Sequence, residues 1–305
     1  MRKLEKYQGI FPAFYACYDE AGDVSIERTQ RFAEYLIQKG VQGLYLAGSS
    51  GECIYQTLPE RMRIVESVME VARGKVTVIA HVAAPSARES IRLAQHAERF
   101  CVDAVAAIPP IYFKLPEYAI GQYWTQIASA SDLDFFIYNI PQTTGYALSV
   151  PLFREMLENE KVVGVKNSSM PVLDIQQFKA VAGDRAVVLN GPDEQFVAGR
   201  LMGAAGGIGG TYGVMPELFL KVDQLIRQER FREAVTVQYL INEIIMEMLS
   251  IRGNLYAVMK MILKEQGMDI GGVRGPLPPV SPEEAPKIAA VSAKIQQAIT
   301  AAVAL

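Results

Sequence analysis

Between residue 9 and residue 228 the chain repeats one pattern eight times: a short apolar run, then an amphipathic helical stretch. The apolar runs are Gly9 to Tyr18, Gly43 to Ala47, Val76 to Val82, Ala104 to Ile108, Asp134 to Ile140, Val162 to Lys166, Ala186 to Asn190 and Gly206 to Gly210. Between and after them the helical periodicity covers Ser25 to Gln38, Pro59 to Ala72, Ala87 to Phe100, Glu117 to Ala130, Val150 to Leu157, Leu173 to Val181, Asp193 to Met202 and Pro216 to Gln228. Continuous apolar runs, rather than strict alternation, suit parallel strands covered on both faces. Eight even repeats of about thirty residues predict a closed (β/α)8 TIM barrel. An open doubly wound sheet is the competing fold, but no GxGxxG turn follows the first strand.

From Phe231 onward the periodicity is helical only, over Phe231 to Ser250, Leu255 to Glu265 and Glu283 to Val303, with a Gly/Pro-rich link from Gly271 to Pro282. The expected organisation is a barrel over residues 1–228 carrying the site, and a C-terminal helical region over 229–305 packed on it. Half of the 305 residues are hydrophobic, enough for one large core. The net charge of −3 is spread without blocks of one sign, which argues against a nucleic-acid or membrane partner. No apolar run follows Met1-Arg2-Lys3-Leu4-Glu5-Lys6 that could serve as an export signal. Cys17, Cys53 and Cys101 are scattered and odd in number, as in a reducing compartment, so a cytoplasmic location is expected. Two histidines, His81 and His96, without metal-ligand spacing leave little basis for a metal site, and no cofactor is called for.

In a parallel barrel the chemistry sits at the C-terminal strand ends. The sixth strand reads Val162-Val163-Gly164-Val165-Lys166 and runs into Asn167-Ser168-Ser169. A lysine at the end of a buried strand is costly as an ammonium, and burial favours the neutral amine that can attack a carbonyl carbon. The other strand ends supply Gly48-Ser49-Ser50-Gly51-Glu52, Pro109-Pro110-Ile111-Tyr112, Tyr138-Asn139-Ile140-Pro141, Asn190-Gly191-Pro192-Asp193-Glu194 and Gly207-Ile208-Gly209-Gly210-Thr211. Taken singly, each has an ordinary structural explanation, as a turn, a helix cap, a packed aromatic or favourable first-turn charges. Their convergence on one barrel mouth is what gives them weight.

These residues resemble the pyruvate-dependent class I aldolase family that includes N-acetylneuraminate lyase and dihydrodipicolinate synthase. The matching pieces are Gly48 to Glu52, Tyr138 to Pro141, Gly164-Val165-Lys166 and Gly206 to Gly209, in order and spanning essentially the whole chain. The resemblance implies that Lys166 forms a Schiff base with pyruvate or a pyruvate-derived 2-oxo acid, with Tyr138 as acid/base. It implies that Ser49 links Tyr138 to Tyr112, the tyrosine coming from a neighbouring subunit, and that Ser49 and Ser50 hold the carboxylate. Ser168, Gly191, Asp193, Glu194, Gly209 and Gly210 are the remaining implied substrate contacts, and a homotetramer is the implied assembly.

Substrate choice divides the family. The synthase branch has an arginine where this chain has Thr143, which disfavours a semialdehyde substrate. The lyase branch has an adjacent Asp-Glu matched by Asp193-Glu194, suited to a polyol. Ser168 stands where that branch has threonine, and Gly210 where it often has serine. The expectation is cleavage of a 2-keto-3-deoxy sugar acid, first N-acetylneuraminate, to pyruvate and N-acetylmannosamine. A 2-keto-3-deoxy-aldonate aldolase and, further off, dihydrodipicolinate synthase are the enzymatic alternatives; a 2-oxo acid sensor is the non-enzymatic one.

Overall fold

A computed structural model describes residues 4–305; Met1-Arg2-Lys3, read above for an export signal, lie outside the described residues. The eight strands are β1 (Gly9–Pro12), β2 (Gly43–Leu46), β3 (Thr77–His81), β4 (Ala104–Ala107), β5 (Asp134–Asn139), β6 (Val162–Asn167), β7 (Val187–Asn190) and β8 (Gly206–Gly209). They form one parallel sheet in the order β1-β8-β7-β6-β5-β4-β3-β2. The seam between β1 and β2 is closed by two backbone bonds: Gln42 donates to Ile10 (3.1 Å) and Phe14 donates to Tyr45 (2.9 Å). The expected TIM barrel is therefore the fold.

Helices α1 (Ile26–Gln38), α2 (Leu58–Ala72), α3 (Ala87–Arg99) and α4 (Glu117–Ala128) follow the first four strands. A short α5 (Pro141–Thr144) precedes α6 (Val150–Met156); α7 (Val172–Ala182), α8 (Phe196–Leu201) and α9 (Pro216–Arg227) complete the ring. Their starts are written locally. Ser25, Ser86 and Ser149 each cap a helix by accepting from a backbone N–H, and Thr57 with Glu60 forms a reciprocal capping box on α2.

Two apolar layers result. One lies between strands and helices; the other fills the barrel with Phe11, Tyr45, Ile79, Phe136, Val187, Leu189 and Ile208 among others. Aromatic rings fit inside because glycines face them. A Cβ on Gly43 would come within 2.0 Å of the Phe11 ring, and one on Gly164 within 2.5 Å of the Phe136 ring. Tyr7 plugs the N-terminal end, its hydroxyl donating to the Asp103 carbonyl at 2.8 Å and its ring meeting Phe136 edge-on.

The chain ends in α10 (Phe231–Ser250), α11 (Leu255–Glu265) and α12 (Ala285–Val303). These helices reach the mouth of the barrel. Gln238 on α10 accepts from the Val197 N–H and donates to the Asp193 carbonyl, and Asn242 donates to the Glu194 carbonyl. Lys260 on α11 forms a fully buried 2.6 Å ion pair with Glu52. Among the described residues no single helix is long and apolar enough to cross a membrane.

Candidate active site

Strand β6 delivers Lys166 to the barrel interior, where only 4% of it is exposed. Its register partner on β5 is Tyr138, and its Nζ lies 3.9 Å from the centre of that ring. The ring of Tyr45, from β2, stands 4.4 Å from the same nitrogen. Burial lowers the Lys166 amine to about 7, and the charges of Asp193 and Cys53 only partly oppose that. Near neutral pH a large fraction of the side chain is thus the nucleophilic free amine.

Tyr138 is held from both sides. Its ring meets those of Tyr45 and His81 edge-on, with interplanar angles of 84° and 86°. Its hydroxyl is 3.5 Å from the Ser49 Oγ. Burial raises the phenol to about 12, while hydrogen bonds from Ser49 and Ser168 work against the rise. The phenol is therefore a proton carrier at neutral pH, with hydroxyl neighbours on two sides.

Ser49 and Ser50 sit in a tight loop after β2, bracketed by two non-glycine residues at positive φ, Ala47 (52°) and Glu52 (55°). The turn is closed by bonds from Gly51 and Cys53 to the Gly48 carbonyl and from Glu52 to the Ser49 carbonyl. The backbone N–H groups of Ser49 and Ser50 donate to no acceptor among the described residues. Unspent N–H groups in a left-handed turn form a nest for an anion such as a carboxylate. What holds Glu52 in this backbone region lies far along the chain: its second carboxylate oxygen accepts the Arg274 N–H at 2.8 Å.

The ends of β5 and β6 are fixed by a buried amide chain. Asn139 donates to the Asn167 Oδ1 at 2.7 Å and accepts from the Leu148 N–H, and Asn167 continues to Ser169, whose hydroxyl donates to Asp174. Asp193 follows β7 and is buried. Its Oδ2 accepts from the Thr211 N–H and hydroxyl, both at 2.7 Å, while Oδ1 has no partner. Burial raises its carboxyl to about 7, Thr211 opposing the rise and Glu194 adding to it. Gly209 is required here, since a Cβ would come within 2.1 Å of the Asp193 Oδ1 and 2.2 Å of the Tyr212 ring. Gly210 is roomier: a Cβ would lie 3.3 Å from the Ser50 Oγ. Glu194 is half-buried, and its carboxylate makes no hydrogen bond or ion pair among the described residues.

The structure thus brings Ser49, Ser50, Tyr138, Lys166, Ser168, Gly191, Asp193, Gly209 and Gly210 to one mouth, with Glu194 beside them. Tyr112 is different. It is 93% exposed, has φ of 83° and packs on Phe113, and the Ser49 hydroxyl meets Tyr138 rather than Tyr112 within this chain. A cavity of about 790 Å³ adjoins the site at Ser49 and runs outward past Cys53, Arg61, His81, Ile108 and Tyr256.

Several residues here escaped the sequence reading. Tyr45 looked like strand core. His81, pushed well down by burial and then by Arg61, is neutral; it donates from Nδ1 to the Ala47 carbonyl at 3.0 Å and accepts from the Ile108 N–H at Nε2. It ties three strand ends together beneath the serine loop. A polar residue in an otherwise apolar strand was the available signal for it. Nothing in the local sequence announced the Glu52–Lys260 pair.

A family model for the dihydrodipicolinate synthetase family matches residues 6–296. N-acetylneuraminate lyase of Mediterraneibacter gnavus is 57% identical over 286 residues, covering 93% of this chain and 91% of that protein. A structure of the catalytic lysine mutant of Ruminococcus gnavus sialic acid aldolase superposes with a TM-score of 0.97 at 54% identity, covering 99% of both chains. CdNal from Clostridium difficile, solved in complex with mannosamine, gives a TM-score of 0.91 at 28% identity over 94% of this chain and 99% of its own. The chain belongs to the dihydrodipicolinate synthetase family.

Proposed function

We propose that this protein is a class I aldolase, a carbon–carbon lyase that cleaves N-acetylneuraminate to pyruvate and N-acetylmannosamine. The reading rests above all on the 57% identity to an N-acetylneuraminate lyase across nearly the whole chain. The buried Lys166 amine against the Tyr138 ring supports the chemistry.

In this reading Lys166 condenses with the keto carbon of the open sugar acid and releases water, leaving a protonated iminium. Tyr138 gives its proton to the hydroxyl that leaves as water, and as phenolate it takes the proton from the hydroxyl on the carbon to be cleaved, with Ser49 and Ser168 steadying its oxygen. The carbon–carbon bond then breaks, its electron pair passing into the iminium. The aldehyde leaves, and the enamine is reprotonated and hydrolysed to pyruvate. The free N–H groups and hydroxyls of Ser49 and Ser50 hold the carboxylate. Asp193 and Glu194 accept from the sugar hydroxyls, beside Gly191, Gly209 and Gly210.

The assay is pyruvate release from N-acetylneuraminate, run beside 2-keto-3-deoxygluconate. Preference for the nine-carbon acid supports the reading; cleavage of the six-carbon acid alone would overturn it. The second reading, a 2-keto-3-deoxy-aldonate aldolase, is favoured by one observation, the missing hydroxyl at Gly210.

We further propose a homotetramer in which Tyr112 reaches a neighbouring copy's site. Its exposure beside exposed Phe113 and Tyr118 supports this, and light scattering of the purified protein tests it. On the same footing, residues 1–228 form the barrel unit and 229–305 its helical complement. Three unpaired cysteines favour the cytoplasm as its compartment.

A further inference from the structure

The Lys166 nitrogen has no carboxylate ion-paired with it among the described residues. Instead it lies between two aromatic faces, Tyr138 at 3.9 Å and Tyr45 at 4.4 Å from the ring centres. The two rings stand edge to face, 5.8 Å apart, so their relative orientation is fixed. Tyr45 is fully buried, and its hydroxyl has no hydrogen-bond partner. What this side chain offers the amine is therefore its face. That face is held in place by Gly48 of the serine loop, where a Cβ would come within 2.6 Å of the Tyr45 Cε1.

We propose that the Tyr45 ring stabilises the positive charge that the Lys166 nitrogen carries as an iminium. The inference rests on the aldolase reading above and adds to it a residue with no role there. When the neutral amine condenses with a ketone and one proton is taken up, one water leaves and a positive charge appears on nitrogen, shared with carbon. A dry site holds such a charge poorly unless something compensates it. An aromatic face within about 6 Å does so through its quadrupole, more strongly when both partners are desolvated. Tyr138 faces the same nitrogen, but its hydroxyl is the one that exchanges protons. Burial holds the Tyr45 phenol protonated, so its face is constant through the cycle.

The test varies the electronics of the ring while keeping its shape. The fraction of protein trapped by borohydride is measured against pyruvate concentration for wild type, Tyr45→Phe, Tyr45→Leu and a protein with pentafluorophenylalanine at position 45. Thermal unfolding of each confirms that it is folded. The expected result is about a thirtyfold rise in half-saturating pyruvate for Tyr45→Leu, rescue by Tyr45→Phe, and a loss close to that of leucine for the fluorinated ring. Equal trapping by the phenylalanine and pentafluorophenylalanine proteins overturns the proposal. A loss in Tyr45→Phe as large as in Tyr45→Leu also overturns it, because the hydroxyl would then be the working group. Failure of the wild type to trap pyruvate at all would instead remove the aldolase reading, which separates the two conclusions.

Discussion

Tyr138 and Lys166 are register partners on adjacent strands, and the lysine nitrogen rests 3.9 Å from the centre of the tyrosine ring. Side chains at equal height on neighbouring parallel strands point to the same side, so the pairing of β5 with β6 sets the nucleophile against the proton carrier. A slip of one residue would turn either group out of the barrel. The bonds running from Leu148 through Asn139 and Asn167 to Ser169 and Asp174 guard against that slip.

The amine must be neutral to attack, and its value of about 7 sets the low-pH limb of adduct formation. The rate of pyruvate trapping should rise with pH through about 7 and then level. Asp193, when charged, favours the ammonium and so raises that value. Asp193→Asn removes the influence, lets burial dominate and should move the limb to lower pH. A limb that stays in place or moves up would show that Asp193 does not act on Lys166 through its charge.

Removing the Tyr138 hydroxyl should separate covalent capture from turnover. Tyr138→Phe keeps the ring beside Lys166 and should still trap pyruvate, while cleavage of the sugar acid falls by roughly 10²- to 10⁴-fold. Turnover close to wild type would move the acid/base role to another group.

The serine loop depends on an ion pair spanning the chain. Glu52→Gln leaves the Lys260 ammonium buried without its charge partner and should cost about 3–5 kcal/mol in denaturant unfolding. Replacing both, Glu52→Leu with Lys260→Met, should recover much of that loss. A single variant as stable as wild type would mean that water reaches Lys260.

Adjacent glycines should respond in opposite ways. Gly209→Ala drives a methyl into the Asp193 carboxylate and the Tyr212 ring, so it should abolish activity and destabilise the fold. Gly210→Ala would press on the Ser50 Oγ at 3.3 Å, a hydroxyl that has only to give by a few tenths of an ångström, and should fold normally. Thermal unfolding of the pair decides the matter, and similar melting points would show that the loop after β8 is free to move.

The barrel was legible because it is written in repeats, each strand continuous in apolar residues and several helices opened by a serine or threonine cap. Boundaries were less so. The first run extends from Gly9 to Tyr18, yet β1 ends at Pro12, because residues 14–18 are a buried loop rather than a strand. Asp193 to Met202, expected as one helix, begins as a 3-10 turn over Asp193–Gln195, where α10 holds the Asp193 and Glu194 carbonyls from outside. The short helix at Pro141–Thr144 was missed, since four residues carry no periodicity. The polar site residues stood out at strand ends. Tyr45 did not, because an aromatic in an apolar strand looks the same whether it faces a lysine or a leucine. The Glu52–Lys260 pair joins residues 208 apart, and only the folded chain brings them together.

The most direct test is borohydride reduction in the presence of pyruvate, followed by mass spectrometry of the peptides. The account predicts one stable pyruvate-derived adduct, located on Lys166 and absent from Lys166→Ala. An adduct on another lysine, persistent labelling of Lys166→Ala, or no adduct on the wild-type protein would contradict it.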